Sequence, residues 1–179
     1  ELEGIHSRTN FDLTQHESHS GKKLKYFDPE DNESYVPYVV ETSIGLDRMF
    51  LAILSSSYFE EKLENDSVRT VLKIPPFLAP FKAAILPLVK KDGLSEFAMK
   101  LYDDLKIHYN IFYDEKDAIG RRYRRQDAIG TPLCITVDHD SLKDDMVTVR
   151  NRDTMKQTRV KIKDLKSEID KLVDMSNYL

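Results

Sequence analysis

The side chains most suited to chemistry lie between Glu41 and Arg48. Within eight positions the sequence places a carboxylate (Glu41), a hydroxyl (Ser43), a glycine (Gly45) and a guanidinium (Arg48). A carboxylate accepts hydrogen bonds from an ammonium group, and a guanidinium binds phosphate oxygens in pairs. The set therefore predicts a site for a ligand that carries an amine and phosphates. The alternative is structural, because Glu41 and Arg48 could form a buried ion pair at the start of a helix.

A predicted strand and a predicted helix would position these groups. Residues 35–40 are rich in β-branched and aromatic side chains, which predicts a strand with Pro37 as its one irregularity. Glu41 and Ser43 would then project from the same face of the extended chain. From Gly45 the apolar residues recur at helical spacing, which predicts a helix that begins there. The free N–H groups of a helix N-terminus favour anions.

Charge is distributed unevenly along the 179 residues, whose net charge is −4. The first 68 residues carry 6 Lys or Arg and 14 Asp or Glu, and the other 111 carry 21 and 17. The more basic second part is a weak indication that it meets a polyanion. No apolar run approaches the roughly 18 residues of a membrane span. The single cysteine, Cys134, rules out an internal disulfide, and we expect a cytoplasmic protein without a membrane segment.

The pattern of the whole chain predicts two domains. Residues 60–67 are charged and lack apolar periodicity, which predicts a linker between domains at 1–66 and 69–179. Residues 1–34 are predicted to be irregular or to form short elements, and to be the least ordered. The second domain is predicted to be α/β, with a mixed sheet of about five strands that is antiparallel at one edge. Its predicted strands cover residues 82–89, 110–113, 133–137, 146–150 and 157–161, and its predicted helices cover 94–105, 120–129 and 162–173.

Two basic clusters lie in the second domain. Residues 121–125 read RRYRR, and residues 147–155 place two further arginines at the end of a predicted strand. Guanidinium groups and an aromatic ring suit phosphates and unstacked bases. A solvated helix face, or internal pairing with Asp127 and Asp153, is the open alternative. The candidate RNA contacts are Arg121, Arg122, Arg124, Arg125, Arg150 and Arg152.

The sequence resembles the class II glycyl-tRNA synthetases of the homodimeric type. The segments ELEGIHSRTNFDLTQH, YVPYVVETSIGLDR and GRRYRRQDAIGTP match that family in order and spacing, and VTVRNRDTM adds a fourth match. The resemblance covers essentially the whole chain. It implies the α+β end of a class II catalytic domain, with motif 3, in residues 1–66, and an α/β anticodon-binding domain in residues 69–179. Thr42, where the family usually has proline, and His6, where a small residue is common, depart from the pattern.

The resemblance also implies roles for individual residues. As the catalytic pair, Glu41 would accept the ammonium of glycine, and Arg48 would be the motif 3 arginine on the terminal phosphate of ATP. Glu1 would contact ATP through Mg²⁺. The implied glycine-binding residues are Arg8, Glu41, Thr42, Ser43, Ile44 and Gly45, and the implied ATP-binding residues are Glu1, Leu2, Gly45, Leu46, Asp47 and Arg48.

The activity implied by the resemblance is that of a glycine–tRNA ligase. Such an enzyme, a homodimer at full length, uses ATP with Mg²⁺ to activate glycine as glycyl-adenylate and transfers it to the 3′ end of tRNA(Gly). Motifs 1 and 2 of the family would lie upstream of Glu1, so we expect this chain alone to form no glycyl-adenylate. The residues leave two alternatives open, which are a non-catalytic nucleic-acid-binding module and a generic nucleotide-binding α/β domain.

Overall fold

A computed structural model describes residues 2–64 and 66–178 and divides the chain into two units, Glu1–Ile53 and Leu54–Leu179. The first unit is built on strand β1 (Glu3–Thr9), which pairs antiparallel with strand β4 (Val39–Ile44). Helix α1 (Phe11–Ser20) and a short hairpin of β2 (Tyr26–Asp28) and β3 (Glu33–Tyr35) lie between them in sequence. Helix α2 (Leu46–Ser57) follows β4 after Gly45.

The first unit corrects two predictions. The predicted strand at 35–40 is displaced, since β4 begins at Val39 and residues 36–38 are irregular. Pro37 lies in this irregular segment, because proline has a fixed φ and no N–H to donate to a ladder. The prediction that residues 1–34 form only irregular or short elements is wrong for β1 and α1. No residue of α1 is buried and only Gly4 of β1 is buried, so neither carries the apolar pattern that marks an amphipathic element.

A third correction concerns the predicted linker at residues 60–67. Strand β5 (Tyr58–Lys62) begins directly after α2 and pairs antiparallel with β6 (Val68–Leu72). In this hairpin Glu61 lies opposite Arg69. Glu60, Glu61 and Lys62 belong to β5, where a cross-strand ion pair stabilises the hairpin, while Glu64 and Asp66 lie between the two strands.

The larger unit contains the mixed five-stranded sheet that the sequence predicts. The strand order is β11-β10-β9-β7-β8, in which β7 runs parallel to β8 and β9 while β10 runs antiparallel to β9 and β11. Among the described residues, three α-helices and one short α-helical turn connect or follow the strands, with 3-10 turns at Ile162–Asp164 and Met175–Tyr178. In chain order the elements are β7 (Ala83–Pro87), α3 (Leu94–Leu105), β8 (Ile111–Tyr113), α4 (Ile119–Ile129), β9 (Leu133–Val137), α5 (Ser141–Asp144), β10 (Met146–Asn151), β11 (Gln157–Lys161) and α6 (Leu165–Val173).

Both faces of this sheet are covered, which explains the continuous apolar runs of β7 and β9. On one face, Ile85 and Ile135 pack in a cluster with residues of α3 and α6, including Leu94 and Ile169. On the other face a smaller cluster contains Leu86 of β7 and residues of α4. Helix α4 therefore covers this face of the sheet, and its residues Arg121 and Arg124 are exposed.

The glycine that ends α4 is required there by its backbone and its surroundings. Gly130 has φ +83°, a left-handed conformation that favours glycine. A Cβ atom at this position would lie 2.9 Å from two side-chain carbons of Ile74. The chain therefore passes from α4 into β9 in close contact with the segment that precedes β7. Among the described residues, no helix is long and apolar enough to cross a membrane.

Candidate functional sites

In the first unit, a cleft of about 240 Å³ lies where β4 ends and α2 begins. Backbone pairing brings β1 beside this point, and the Gly45 N–H donates to the Leu2 carbonyl at 3.4 Å. The structure thus brings together residues of both the predicted glycine set and the predicted ATP set. The residues that line the cleft are Leu2, Glu3, Ser43, Ile44, Gly45 and Arg48.

The start of α2 gives this cleft an electropositive side. The Met49 N–H donates to the Gly45 carbonyl at 2.9 Å, so the first turn begins directly at the cleft. N–H groups in the first turn of a helix have no acceptor within the helix, and the helix dipole adds positive potential there. A Cβ at Gly45 would make an ordinary van der Waals contact of 3.5 Å with Cδ of Arg48, so the glycine and the guanidinium side chain are neighbours. An anionic ligand could approach the backbone and the guanidinium together.

Glu41 lies one step along the same strand face as Ser43 and has an arginine beside it. Its Oε2 is 3.5 Å from Nε of Arg8, which itself donates hydrogen bonds of 2.8 and 2.9 Å to Asp12. The hydrogen bonds between Arg8 and Asp12 raise the pKa of Arg8 and lower that of Asp12. Glu41 and Arg48 are both exposed, so the alternative of a buried ion pair between them is wrong. Arg8 therefore lies where the prediction places it, beside the Glu41 carboxylate.

The described residues that line the cleft do not include the predicted Arg8, Glu41, Thr42, Leu46 or Asp47. Leu46 and Asp47 are exposed in the first turn of α2, and Thr42 is paired with Ile5 in the β1–β4 ladder. Glu1, the predicted metal contact, lies outside the described residues. Across residues 2–64 and 66–178, no group of three or more His, Cys, Asp or Glu side chains could hold a metal ion.

In the second unit, a groove of about 440 Å³ lies between α4 and the β10–β11 hairpin. Arg121 and Arg124 are exposed on its α4 side, and Tyr123 is half-buried between them. The hairpin contributes Met155 and Gln157. The sequence gives no sign of their role, because both are exposed and belong to no apolar or charged pattern. The groove is lined by Gly120, Arg121, Tyr123, Arg124, Arg150, Met155 and Gln157. We call it the α4 groove.

Tyr123 and Arg150 pack against each other in the α4 groove. The Arg150 guanidinium lies 4.9 Å from the centroid of the Tyr123 ring, a cation–π contact. The Tyr123 hydroxyl shares a hydrogen bond of 2.7 Å with Oγ1 of Thr136 on β9. Burial raises the pKa of Tyr123, so this hydroxyl stays neutral at physiological pH. The arrangement fixes an aromatic ring and a cation in a groove flanked by two exposed arginines.

Only some of the six predicted RNA contacts are available to a ligand. Arg122 is buried, and its guanidinium donates to the carbonyls of Pro87, Leu88 and Asp114 at 2.6, 3.0 and 3.1 Å. These carbonyls lie at the carboxyl ends of β7 and β8, where they need donors. The expectation that Arg122 faces RNA is therefore corrected, because its side chain stabilises the sheet edge.

The other buried arginines are also bound within the protein. Arg152 donates to the Gly130 carbonyl at 2.8 Å and pairs with Asp153, which corrects the expectation of an RNA contact. Arg150 pairs with the buried carboxylate of Asp127 through hydrogen bonds of 2.8 and 3.0 Å. It also lines the groove, where it contacts Tyr123. The sequence analysis noted Asp127 as a neighbour but missed its central position.

Arg125 is exposed, but two carboxylates hold its guanidinium. It lies 2.6 Å from Asp114 and 2.8 Å from Asp117, and these hydrogen bonds raise the pKa of Arg125. It is not among the residues that line the α4 groove. Arg121 and Arg124 are thus the two members of the predicted set that present exposed guanidinium groups in the groove.

Comparison with known proteins adds a family and a set of relatives. A family described as the anticodon binding domain matches residues 82–172. A glycine–tRNA ligase of Clostridium perfringens is 56% identical over 178 residues, which are 97% of this chain and 38% of that protein. A glycine–tRNA ligase of Geobacillus thermodenitrificans is 52% identical over 173 residues, covering 97% of this chain and 37% of the relative. The chain therefore spans little more than a third of the length of these relatives.

A solved structure supports the fold of the larger part of the chain. The RNA binding domain of a threonyl-tRNA synthetase from Cryptosporidium parvum matches with a TM-score of 0.64. The match covers 83% of this chain and 35% of that one, at 18% sequence identity. At this identity the likeness concerns the fold alone.

Proposed function

Because the chain belongs to the anticodon-binding domain family, and because it is more than half identical to glycine–tRNA ligases, we propose that it is part of a glycine–tRNA ligase. The full-length enzyme would activate glycine with ATP and transfer it to the 3′ end of tRNA(Gly). The main supporting observation is that one chain holds two basic sites. One is a cleft with Arg48 at a helix N-terminus, reached by the strand that carries the exposed Glu41, and the other is a basic groove with an aromatic ring.

We assign the two activities to two domains. Residues 1–66 would be the end of the catalytic domain, and residues 69–179 would bind the anticodon. The match to the anticodon-binding family, which begins at residue 82, supports the second assignment. The contacts in the structure divide the chain earlier, between Ile53 and Leu54, so the β5–β6 hairpin is grouped with the second unit.

In the first domain, the cleft would orient glycine and ATP for the first reaction. Glu41 would accept hydrogen bonds from the ammonium of glycine, and Ser43 on the same strand face would line the pocket. Arg48 and the first turn of α2 would hold ATP phosphate oxygens. A carboxylate oxygen of glycine would attack the α-phosphorus of ATP and form the new O–P bond of glycyl-adenylate. The bond between the α-phosphorus and the bridging oxygen would break, and pyrophosphate would leave with that oxygen. Positioning and charge stabilisation would supply the rate enhancement.

Mg²⁺ bound with ATP would neutralise phosphate charge in this reaction. Glu1, which the family resemblance assigns to this contact, lies outside the described residues. Glu3 is the carboxylate among the described residues that line the cleft. We therefore assign no step of the reaction to a described metal ligand.

Selection of glycine would depend on exclusion. Glycine has no side chain, so a pocket that fixes the ammonium and leaves no further space rejects larger amino acids. Ser43 and Ile44 lie at the strand end, where backbone pairing with β1 holds them in place. Such a wall needs no apolar recess.

In the second domain, the α4 groove would receive the anticodon loop. Arg121 and Arg124 would contact phosphates, and Tyr123 would offer a surface for an unstacked base. The family match makes tRNA the nucleic acid that we propose. In the cell we propose a cytoplasmic homodimer, as the resemblance to homodimeric glycyl-tRNA synthetases implies.

The proposal is tested by tRNA binding and by amino acid activation. The chain is titrated against tRNA(Gly) and against a tRNA of another specificity at two salt concentrations. Tighter binding of tRNA(Gly) at both concentrations supports anticodon recognition, whereas equal affinities show non-specific polyanion binding and contradict it. For the full-length protein, glycine-dependent exchange of pyrophosphate into ATP is expected, and its absence contradicts the catalytic assignment.

A further inference from the structure

We infer that Asp127 is a positioning residue for RNA recognition, because it holds Arg150 and, through Arg150, orients Tyr123 in the α4 groove. The inference rests on the proposed function, in which this groove contacts the anticodon. Asp127 does not line the groove itself. It acts from beneath, through a side chain that is fully buried.

The geometry of the carboxylate supports this role. Its Oδ1 accepts a hydrogen bond of 2.8 Å from Nη1 of Arg150, and its Oδ2 accepts one of 3.0 Å from Nη2. Two parallel bonds fix the plane of the guanidinium as well as its position. The Asp127 charge and hydrogen bonds also oppose the effect of burial, which alone would lower the pKa of Arg150, so the pKa is raised. Arg150 is therefore held as a cation in one orientation.

That orientation places the guanidinium against Tyr123. The guanidinium carbon of Arg150 lies 4.9 Å from the ring centroid, so the position of the ring depends on the position of the guanidinium. The Tyr123 hydroxyl is tied to Thr136 at 2.7 Å, so the ring is held at its far end as well. If the guanidinium turned away, one support of the ring would be lost while the hydroxyl contact would remain. A base stacked on the ring would then meet a less ordered surface.

A second arginine, Arg69, donates to Oδ2 of Asp127, which also accepts from Arg150. Nε of Arg69 on β6 donates to Oδ2 of Asp127 at 2.9 Å, and Nη1 of Arg69 donates to Glu61 at 2.8 Å. The Arg69 Nη2 also donates to the Arg152 carbonyl. The β5–β6 hairpin therefore helps to hold the Asp127 carboxylate in place, independently of Arg150. The network connects this hairpin to the α4 groove.

Replacing the carboxylate with an amide isolates its role. Asp127→Asn keeps the size of the side chain but exchanges one accepting oxygen for an NH₂ group that can only donate. Both Asp127 oxygens accept from guanidinium groups, so the amide necessarily opposes a donor to a donor on one side. The matched control is Asp114→Asn, which makes the same change in a carboxylate that binds Arg125 of the same helix and not Arg150.

The experiment measures affinity for tRNA(Gly) and for the same tRNA with an exchanged anticodon, using the 179-residue chain. For D127N we expect affinity for the glycine anticodon to fall roughly tenfold, the scale of one base–aromatic stack. The tRNA with the exchanged anticodon is expected to bind through its phosphates without a base on Tyr123, so its affinity changes little. Nη1 of Arg124 lies 3.9 Å from Oδ2 of Asp127, and the loss of this pair affects both RNAs equally, so it does not alter the difference between them. D114N keeps the wild-type preference between the two RNAs.

Each outcome decides between the role proposed here and a merely structural one. If D127N loses stability but keeps the anticodon preference of the wild type, Asp127 is structural and the inference is overturned. If D127N does not fold, the double variant D127N/R69M carries the test, since it removes a buried cation together with the carboxylate. Failure of both variants to fold, while D114N folds, also overturns the inference. If the wild type itself shows no anticodon preference, the proposed function of the groove fails first.

Discussion

Nε of Arg69 lies 2.9 Å from Oδ2 of Asp127, and neither side chain has any solvent exposure. The two residues are 58 positions apart, on the β5–β6 hairpin and on α4. A buried guanidinium costs several kcal/mol of desolvation unless its donors are satisfied. Here Glu61, Asp127 and the Arg152 carbonyl accept from it. The hairpin is therefore bound into the larger unit by buried charge as well as by the buried apolar side chain of Val71.

Removing the Arg69 guanidinium is expected to destabilise the fold. Arg69→Met leaves Asp127 with one fewer partner in a buried site, and we expect the free energy of unfolding to fall by about 3 kcal/mol. Urea denaturation followed by circular dichroism measures the change. The control Lys106→Met removes an exposed pair with Asp103 and should change stability by less than about 1 kcal/mol. A similarly small effect of R69M would contradict the importance of this network.

A second prediction concerns the effect on stability of replacing Gly130 and Gly120 with alanine. Gly130→Ala places a methyl group 2.9 Å from Ile74 at a φ of +83°, so we expect a loss of roughly 1–3 kcal/mol. Gly120→Ala is the matched control, since a Cβ there has nothing within 4 Å and its helical backbone suits alanine. This variant should gain up to about 1 kcal/mol. Urea denaturation of both variants is expected to show changes of opposite sign in the free energy of unfolding. Equal changes would contradict a requirement for glycine at position 130.

Apolar patterning explains why much of the larger unit could be predicted. The bounds of α3, β9 and β11 agree with those expected from the sequence, because buried runs and helical periodicity mark them. In the first unit, β1 and α1 were missed since almost all their side chains are exposed. A strand whose contacts are mainly backbone pairing leaves little pattern in its residues.

The arginines show a different limit of the sequence. In RRYRR, Arg122 is buried beneath carbonyls from two other segments while Arg121 and Arg124 are exposed. Helical spacing separates inner from outer faces, but the buried partners come from distant parts of the chain. The groove itself could not be predicted, because it exists only where the β10–β11 hairpin passes α4.

The catalytic assignment gives a prediction about the full-length enzyme. Arg48→Ala should raise KM for ATP or lower kcat in pyrophosphate exchange, with a loss of about 10–100-fold in kcat/KM, the scale of a hydrogen bond to a charged group. Glu41→Gln should instead raise KM for glycine, since an amide binds an ammonium less strongly than a carboxylate. Lys25→Ala, an exposed cation on the same unit that does not line the cleft, serves as the control. Unchanged kinetics of R48A would contradict its role in binding ATP.

Arg121 and Arg124, which line the α4 groove, should differ in RNA binding from Arg125, which does not. Arg121→Ala and Arg124→Ala should each weaken binding to all tRNAs and reduce the slope of log affinity against log salt by about 1. Arg125→Ala is the control, because Asp114 and Asp117 already hold that guanidinium. Affinities measured by filter binding from low to physiological salt test this. A larger effect of R125A than of R121A would place the RNA on another face of the helix.

The last prediction concerns alkaline pH, where two tyrosines contribute. Burial, followed by hydrogen bonding to Asp170, raises the pKa of Tyr109 to about 12, and burial with hydrogen bonding to Glu115 does the same for Tyr113. In the unfolded chain a tyrosine has a pKa of about 10, so folding favours the protonated form. The stabilisation is complete below about pH 10 and is lost as the pH rises toward 12.

We therefore expect the free energy of unfolding to fall between about pH 10 and 12 and to fall less steeply in the double variant Y109F/Y113F. Phenylalanine cannot ionise, so it removes this contribution while it keeps the ring in place. Tyr38→Phe, whose tyrosine is 71% exposed, is the control and should leave the slope unchanged. Urea titrations at several pH values measure the slope. An equal decline in the wild type and the double variant would show that other groups dominate alkaline unfolding.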